Sequence, residues 1–257
     1  MKCVILAGGR GTRISEESDI RPKPMIEIGG RPLLWHIMKI YDHHGIRDFV
    51  VCLGYKGYTI KEYFANYVLH ATDVTIDIAG NRVAYHGGGQ VEPWRVTLVD
   101  TGLETMTGGR LRRVRQHLEG EQDFCLTYGD GVGNVDVAAE VAFHRAQGRL
   151  ATMTVVQPPA RFGAVALEGD RIMRFQEKPA GEGMINGGFF VLSPKVIDLI
   201  EGDSTIFERE PLARLAADGQ LVAWKHSGYW QPMDTLREKN ELEAEWGTAK
   251  PRWKVWG

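Results

Sequence analysis

Gly8, Gly9 and Gly11 follow the apolar run CVILA directly; Thr12 and Arg13 come next and Lys23 ten residues later, held between Pro22 and Pro24. Glycine has no Cβ, so a stretch of this kind can take positive φ and bring backbone N–H groups close to an anion. Arg13 offers a planar fork that grips phosphate bidentately. Lys23 is a point charge on a segment stiffened by its prolines. Bare backbone beside two cations suits a triphosphate, although the same letters would also serve a tight strand-to-helix turn and a solvated surface lysine. A Walker A loop is absent, and so is the G-x-G-x-x-G fingerprint of dinucleotide binding, because the chain runs polar through SEESDIRPKP instead of entering a helix. A long mobile loop is expected there.

Two carboxylates stand where a divalent cation could be held. Asp130 in YGDG ends an apolar run just before glycine, and Asp234 in QPMDT follows an aromatic stretch. Mg²⁺ takes octahedral oxygen ligands and is commonly held by one or two carboxylates together with substrate phosphates and water. Taken singly, Asp130 reads equally as a turn residue and Asp234 as a helix cap. No Ser/His/Asp or Cys/His set stands out, and the histidines show no zinc spacing.

These residues need a scaffold, and the hydrophobic pattern describes one. Continuous apolar runs at 3–7, 48–54, 123–131 and 151–157 suit strands covered on both faces. Helical periodicity falls at 32–44, opened by Pro32 and closed by Gly45, and again at 59–69, 108–118 and 135–147. The alternation predicts an α/β fold with a Rossmann-like, doubly wound, mostly parallel or mixed sheet that binds its ligand at the carboxyl ends of the strands. Both glycine-rich stretches lie at such ends. Beyond 158 the texture changes to a hairpin around Glu168 to Asp170, strands in INGGFFVLS and LVAWKHSGYWQPMD, and helices near 205–218 and 235–246. We expect a single domain over 1–257, in which 1–157 carries the glycine loop and 158–257 forms a C-terminal part.

Composition narrows the function classes. In 257 residues, 43% apolar content with 25% charge is that of a globular protein, and a net charge of -2 offers no general attraction to nucleic acid or to an anionic membrane. Three cysteines without CxxC spacing, each in an apolar run, read as reduced core residues. With no apolar run near the roughly 18 residues of a membrane span, a cytoplasmic protein is expected. The tryptophans of the C-terminal tail, Trp246, Trp253 and Trp256, suggest packing on the body or across a subunit interface.

LAGGRGTR followed by RPKPMIEIGGRPLLWHIM resembles the signature of the sugar-1-phosphate nucleotidylyltransferases. GYKGYTIKEYFANY, VEPWRVTLVDTG, MTGGRLRRV, TYGDGV, FQEKP, INGGFFVL and GYWQPMDTLREK extend that resemblance over nearly the whole chain, toward the members that use CTP and glucose 1-phosphate. The resemblance implies the nucleotide-diphospho-sugar transferase fold and a Mg²⁺-dependent transfer from CTP to α-D-glucose 1-phosphate that yields CDP-glucose and pyrophosphate. It implies nucleotide contacts from Leu6, Ala7, Gly8, Gly9, Arg10, Gly11, Thr12, Arg13, Lys23, Thr105, Arg110 and Gly129, with Arg13 and Lys23 catalytic. Asp130 and Asp234 would hold Mg²⁺; Glu177, Lys178, Asn186 and Gly187 would hold the sugar phosphate. It also implies one catalytic domain over 1–257 whose 1–157 part binds the nucleotide and whose 158–257 part serves sugar binding and oligomerisation, in a homo-oligomer for which a hexamer is one candidate. Without the family, Arg110 reads as a solvated helix residue, EKP as a hairpin-end turn and NG as a type I′ turn. Transfer from dTTP or UTP, a sugar-nucleotide-binding regulatory module and an NAD-dependent oxidoreductase are the rival functions. Arg10 adds a charge to the glycine loop without an evident role.

Overall fold

A computed structural model of the chain describes residues 1–11, 14, 20–87, 91–158, 164–168, 171–176 and 183–257. Seven strands form the central sheet: β1 (Lys2–Leu6), β2 (Asp48–Leu53), β3 (Arg95–Asp100), β4 (Phe124–Tyr128), β5 (Ala151–Val156), β6 (Ile185–Leu192) and β7 (Leu221–His226). Their order across the sheet is β7-β5-β6-β4-β1-β2-β3. β1 is the pivot. It pairs in parallel with β2 on one side, Val4 beside Val50, and with β4 on the other, Val4 beside Leu126. The chain therefore winds outward from β1 to β3 and then returns to β4 on the opposite flank, which opens a crevice at the carboxyl ends of β1 and β4.

The apolar runs form strands because both faces of the sheet are covered. Cys3 and Ile5 of β1 join one core with Leu34, Ile37 and Tyr41 of α1 (Leu33–His43). Val4 joins the core of the other face, with Leu111 of α2 (Thr107–Arg113). α3 (Val137–Gln147) packs on β5. Leu212 and Leu215 of α4 (Glu210–Ala217) enter the second core, and Leu242 of α5 (Leu236–Trp246) the first. The sheet draws strands from both sides of position 158, so the C-terminal part is built into the same layer as the glycine loop.

β6 runs antiparallel to both β4 and β5, so the sheet is mostly parallel and mixed at that flank, as expected. Several other expectations are modified. β3 escaped the pattern because Arg95 and Asp100 are exposed and the residues between them are only half covered at the sheet edge. The hairpin of strands Asp73–Asp77 and Arg82–His86 lies outside the expected elements: Val74 and Ile76 pair with Tyr85 and Val83 on one apolar face, but every residue of its second strand is exposed, so that face is not part of the core. The helix read at 59–69 breaks at Asn66 into Gly57–Ala65 and Tyr67–Ala71. The one read at 108–118 ends at Arg113 and continues as a 3-10 turn, Arg115–Leu118. The helix near 205–218 starts only at Glu210, with Pro211 in its first turn. Strands Ala164–Glu168 and Arg171–Gln176 pair as the expected hairpin. Among the tail tryptophans, Trp253 is fully buried and stacks on Trp246 within the same chain.

Glu140 of α3 is buried against β5, where its Oε1 accepts from Thr154 Oγ1 at 2.8 Å. Burial raises its carboxyl pKa from 4.5 to about 8. Between those values the folded chain keeps a proton that the unfolded chain has lost, so Glu140 makes stability fall as pH rises from 4.5 to about 8. Glu140→Gln removes that slope. We expect the difference in unfolding free energy, variant minus wild type, to climb across this window by up to about 1.4 kcal/mol per pH unit. Urea titrations at several pH values measure it, and parallel profiles would refute it.

Candidate active site

The glycine loop leaves β1 at the crevice and is tied down at its start. Ala7 N–H donates to Cys52 O at 3.0 Å, and Gly8 O accepts from Tyr55 N–H at 3.1 Å. Gly8 O also accepts from Arg110 Nη2 at 3.1 Å. The other bonds of that guanidinium go to Leu53 O at 2.9 Å, Thr101 Oγ1 at 2.8 Å, Gly102 O at 2.8 Å and Leu103 O at 3.3 Å. Arg110 is 5% exposed, and burial lowers its pKa. Position 8 must be bare because a Cβ there would stand 2.1 Å from Arg110 Nη1. Gly9, by contrast, opens onto empty space, and Gly11 takes φ +65. At Gly9 no side chain stands between the backbone and an approaching anion.

Gly8→Ala must push the guanidinium out of its nest of carbonyls. We expect a loss of roughly 2–3 kcal/mol of stability, from overpacking and from buried acceptors left unpaired. Nucleotide affinity should fall at least tenfold, as the loop shifts. Thermal unfolding and calorimetric titration with nucleoside triphosphate check both; unaltered affinity would show that Arg110 does not shape the loop.

A cavity of ≈ 240 Å³ opens beyond the loop, lined by Leu6, Ala7, Gly9, Gly11, Lys23, Pro24, Gly129, Asp130 and Asp234. Lys23 opens the 3-10 turn Lys23–Met25; Pro22 precedes it in extended conformation and Met25 N–H donates back to Pro22 O at 2.8 Å. The side chain is thus carried inward and is only 8% exposed as a residue. Its Nζ donates to Asp130 Oδ2 at 2.9 Å and to Asp234 Oδ1 at 2.5 Å.

Backbone pairing brings the two aspartates together. The short strands Gly131–Gly133 and Trp230–Pro232 run antiparallel, with Gly131 beside Pro232, and Met233 N–H donates to Asp130 O at 2.7 Å. Asp234 does not cap α5. Thr235 does so in a capping box with Glu238, whose Oε2 accepts from both Asp234 N–H and Thr235 N–H. Asp234 is left with its carboxylate turned to Lys23.

The two carboxylates already converge on a single cation, the Lys23 ammonium, at the edge of a pocket floored by backbone. Among the described residues no three His, Cys, Asp or Glu side chains gather as a metal site. A divalent ion at this pair would take its remaining oxygens from substrate and water, which is how Mg²⁺ is usually bound beside phosphates. The donor set fits such an ion.

The structure sorts the expected nucleotide contacts. Leu6, Ala7, Gly9, Gly11, Lys23 and Gly129 line the cavity, and Pro24 joins them unforeseen. Gly8 faces Arg110 instead. Arg110 lies behind the loop, bonded to backbone carbonyls, rather than solvated as the sequence alone allowed. Thr105 is buried against Gly102 and Gly109. Arg10 is exposed and turns outward to an ion pair with Glu104, so its charge is answered at the surface. Thr12, Arg13, Glu177 and Lys178 lie outside the described residues.

The Nucleotidyl transferase family model matches residues 2–235. The chain belongs to the nucleotidyl transferase family. It is 58% identical to a glucose-1-phosphate cytidylyltransferase of Salmonella typhi over 100% of both chains. A probable glucose-1-phosphate cytidylyltransferase of Bacillus subtilis is 43% identical, again over 100% of both. Among solved structures, HddC of Yersinia pseudotuberculosis is 22% identical and has a TM-score of 0.69, covering 95% of this chain and 99% of that one, a likeness of fold.

In this nucleotidyl transferase a second, smaller hollow of ≈ 40 Å³ adjoins the first, and Asp130 borders both. Its wall includes Asn186 and Gly187, which sit at the start of β6 and not in a type I′ turn. Trp230 Nε1 donates to Gly187 O at 2.7 Å and fixes that wall. Sequence reasoning did not single out Trp230 or Tyr128. The one available signal was their position, an aromatic ring beside each acidic motif.

Proposed function

We propose that this nucleotidyl transferase moves the cytidylyl group of CTP to α-D-glucose 1-phosphate and releases pyrophosphate, with CDP-glucose as product. The end-to-end identity of 58% to a protein named for that reaction carries the choice of substrates. Site geometry supports the chemistry: a backbone cradle, a buried cation and two acids meet at one crevice, and a second hollow opens beyond Asp130.

In this reaction a phosphate oxygen of the sugar bonds to the α-phosphorus of CTP while the bond from that phosphorus to the β-phosphate oxygen breaks, and the electron pair leaves with pyrophosphate. The second pKa of a phosphate monoester is about 6, so the nucleophile is already ionised at neutral pH and needs no general base. Positioning and charge neutralisation carry the step. Backbone N–H groups of Gly9 and Gly11 approach the triphosphate, and Lys23 places an ammonium where negative charge accumulates. Arg13 would add a second cation there, Lys178 would hold the sugar phosphate, and Glu177, Asn186 and Gly187 would meet the hexose, as the family pattern implies. Asp130 and Asp234 would hold Mg²⁺, which when bound neutralises phosphate charge.

We further propose a cytoplasmic homo-oligomer acting as one catalytic unit over 1–257. The three cysteines are free and buried, as a reducing compartment permits. The hairpin Asp73–Asp77/Arg82–His86 leaves Ile76, Val83 and Tyr85 more than half exposed, and a two-stranded hairpin is marginal alone in water. A second subunit would cover it; light scattering that finds a monomer at micromolar concentration would reject this. No helix of the described residues is long and apolar enough to cross a membrane.

A pyrophosphate-release assay with glucose 1-phosphate and CTP, dTTP or UTP tests the function. CTP is expected to dominate. Faster release with dTTP or UTP would reassign the nucleotide, and nucleotide binding without release from any of them would favour a regulatory module.

A further inference from the structure

Glu208 lies just before α4 and lines neither cavity, yet its carboxylate ends a chain of hydrogen bonds that begins at Asn186. Glu208 Oε1 accepts from the Tyr128 hydroxyl at 2.7 Å, and Oε2 accepts from Thr107 Oγ1 at 2.5 Å. The Tyr128 oxygen accepts in turn from Asn186 Nδ2 at 3.0 Å, and Asn186 Oδ1 accepts from Gly188 N–H at 2.8 Å. Thr107 Oγ1 also accepts from Phe207 N–H at 2.9 Å, so its own proton is the one directed to Glu208.

The direction of this chain is set at both ends, by the Glu208 carboxylate and by the Gly188 N–H, which can only donate. A carboxylate accepts and cannot donate, so Tyr128 must donate to Glu208 and can only accept from Asn186. Burial and the Glu208 charge both raise the Tyr128 pKa and keep its proton in place. The Asn186 amide is then held with nitrogen toward Tyr128 and oxygen toward Gly188. One N–H of Asn186 remains, at the wall of the hollow that Asp130 shares with the nucleotide cavity.

We propose that Glu208 is a positioning residue for sugar recognition: acting through Tyr128, it orients the Asn186 amide so that its second N–H is presented to a hydroxyl of the sugar 1-phosphate. This rests on the function proposed above. With Glu208 replaced by an apolar residue, the Tyr128 hydroxyl loses the acceptor that fixes its rotation and can turn its proton toward Asn186 Nδ2, so the amide is held at Gly188 N–H alone and its second N–H is presented less firmly to the hollow.

The test is steady-state kinetics on the full-length enzyme. Glu208→Leu should raise KM for glucose 1-phosphate about tenfold, the worth of one oriented hydrogen bond, with kcat and KM for CTP within about twofold of wild type. Glu208→Gln, which can still offer its oxygen to Tyr128, should recover most of the loss. In a Tyr128→Phe background Glu208→Leu should add nothing. Across a set of monodeoxy glucose 1-phosphates, the difference between wild type and Glu208→Leu should vanish for the one sugar that lacks the contacted hydroxyl, which a merely structural defect would not produce.

If Glu208→Leu does not fold, Tyr128→Phe and Glu208→Gln carry the test alone, and an unchanged KM for the sugar in Tyr128→Phe overturns the proposal. An equal rise in KM for both substrates, or a penalty that persists with every deoxy sugar, overturns it as well. Wild-type enzyme without turnover of any sugar phosphate would instead remove the underlying function, an outcome separable from these by the control reaction.

Discussion

Lys23→Met is expected to lower kcat about a thousandfold, in the range found when one preorganised charge is removed from a transition state. Methionine matches the stem of lysine but brings no charge. Lys23 is the buried cation of the described site, held in a 3-10 turn between prolines, so a neighbour cannot readily replace it. Stability should change as well, because Asp130 and Asp234 then face each other without the ammonium that joins them. Removing one partner of a buried ion group costs about 3–5 kcal/mol. Asp130 is 38% exposed, however, and water screens part of the repulsion, so a loss on the order of 2 kcal/mol is expected. Added divalent cation should restore much of it in the variant. Single-turnover kinetics and thermal unfolding with and without MgCl₂ measure both effects; a variant that keeps more than a tenth of wild-type turnover would show that Lys23 neutralises no developing charge.

Asp234→Asn has the second largest expected effect, roughly a hundredfold or more on turnover, because half of the carboxylate pair is lost where a divalent ion would be held. Its fold should survive. The backbone bonds that place residue 234 run through Met233 to Asp130 and from Asp234 N–H to Glu238, and neither uses the Asp234 carboxylate. Electron paramagnetic resonance of Mn²⁺ in the presence of CTP gives a readout independent of turnover. Wild type should retain the ion and the variant should release it, while equal retention would remove Asp234 from the metal site. Asp130→Asn should behave alike, with an added defect for the sugar phosphate because Asp130 borders both hollows.

Much of the scaffold was readable from local chemistry. CVILA and DFCLTY suit strands covered on both sides, and glycine directly after each put two loops at one edge of a sheet. Elements at the margin of the core were harder. β3 is half covered at the sheet edge and the exposed hairpin turns its alternating apolar residues to solvent, so neither shows the continuous buried run that marks the central strands.

For the site, residue types alone pointed to phosphate: glycines that leave backbone open, a lysine stiffened by prolines, and acids beside strand ends. That Asp130 and Asp234 act together was decided only in the tertiary structure, by a short antiparallel pairing and one backbone hydrogen bond between distant segments. The same holds for Arg110, whose letter suggests a ligand contact or a solvated side chain but whose environment makes it the clamp behind the loop. Residue type determines what a side chain can do. Which groups it meets depends on how the strands wind, because contacts between distant segments arise only when the sheet closes.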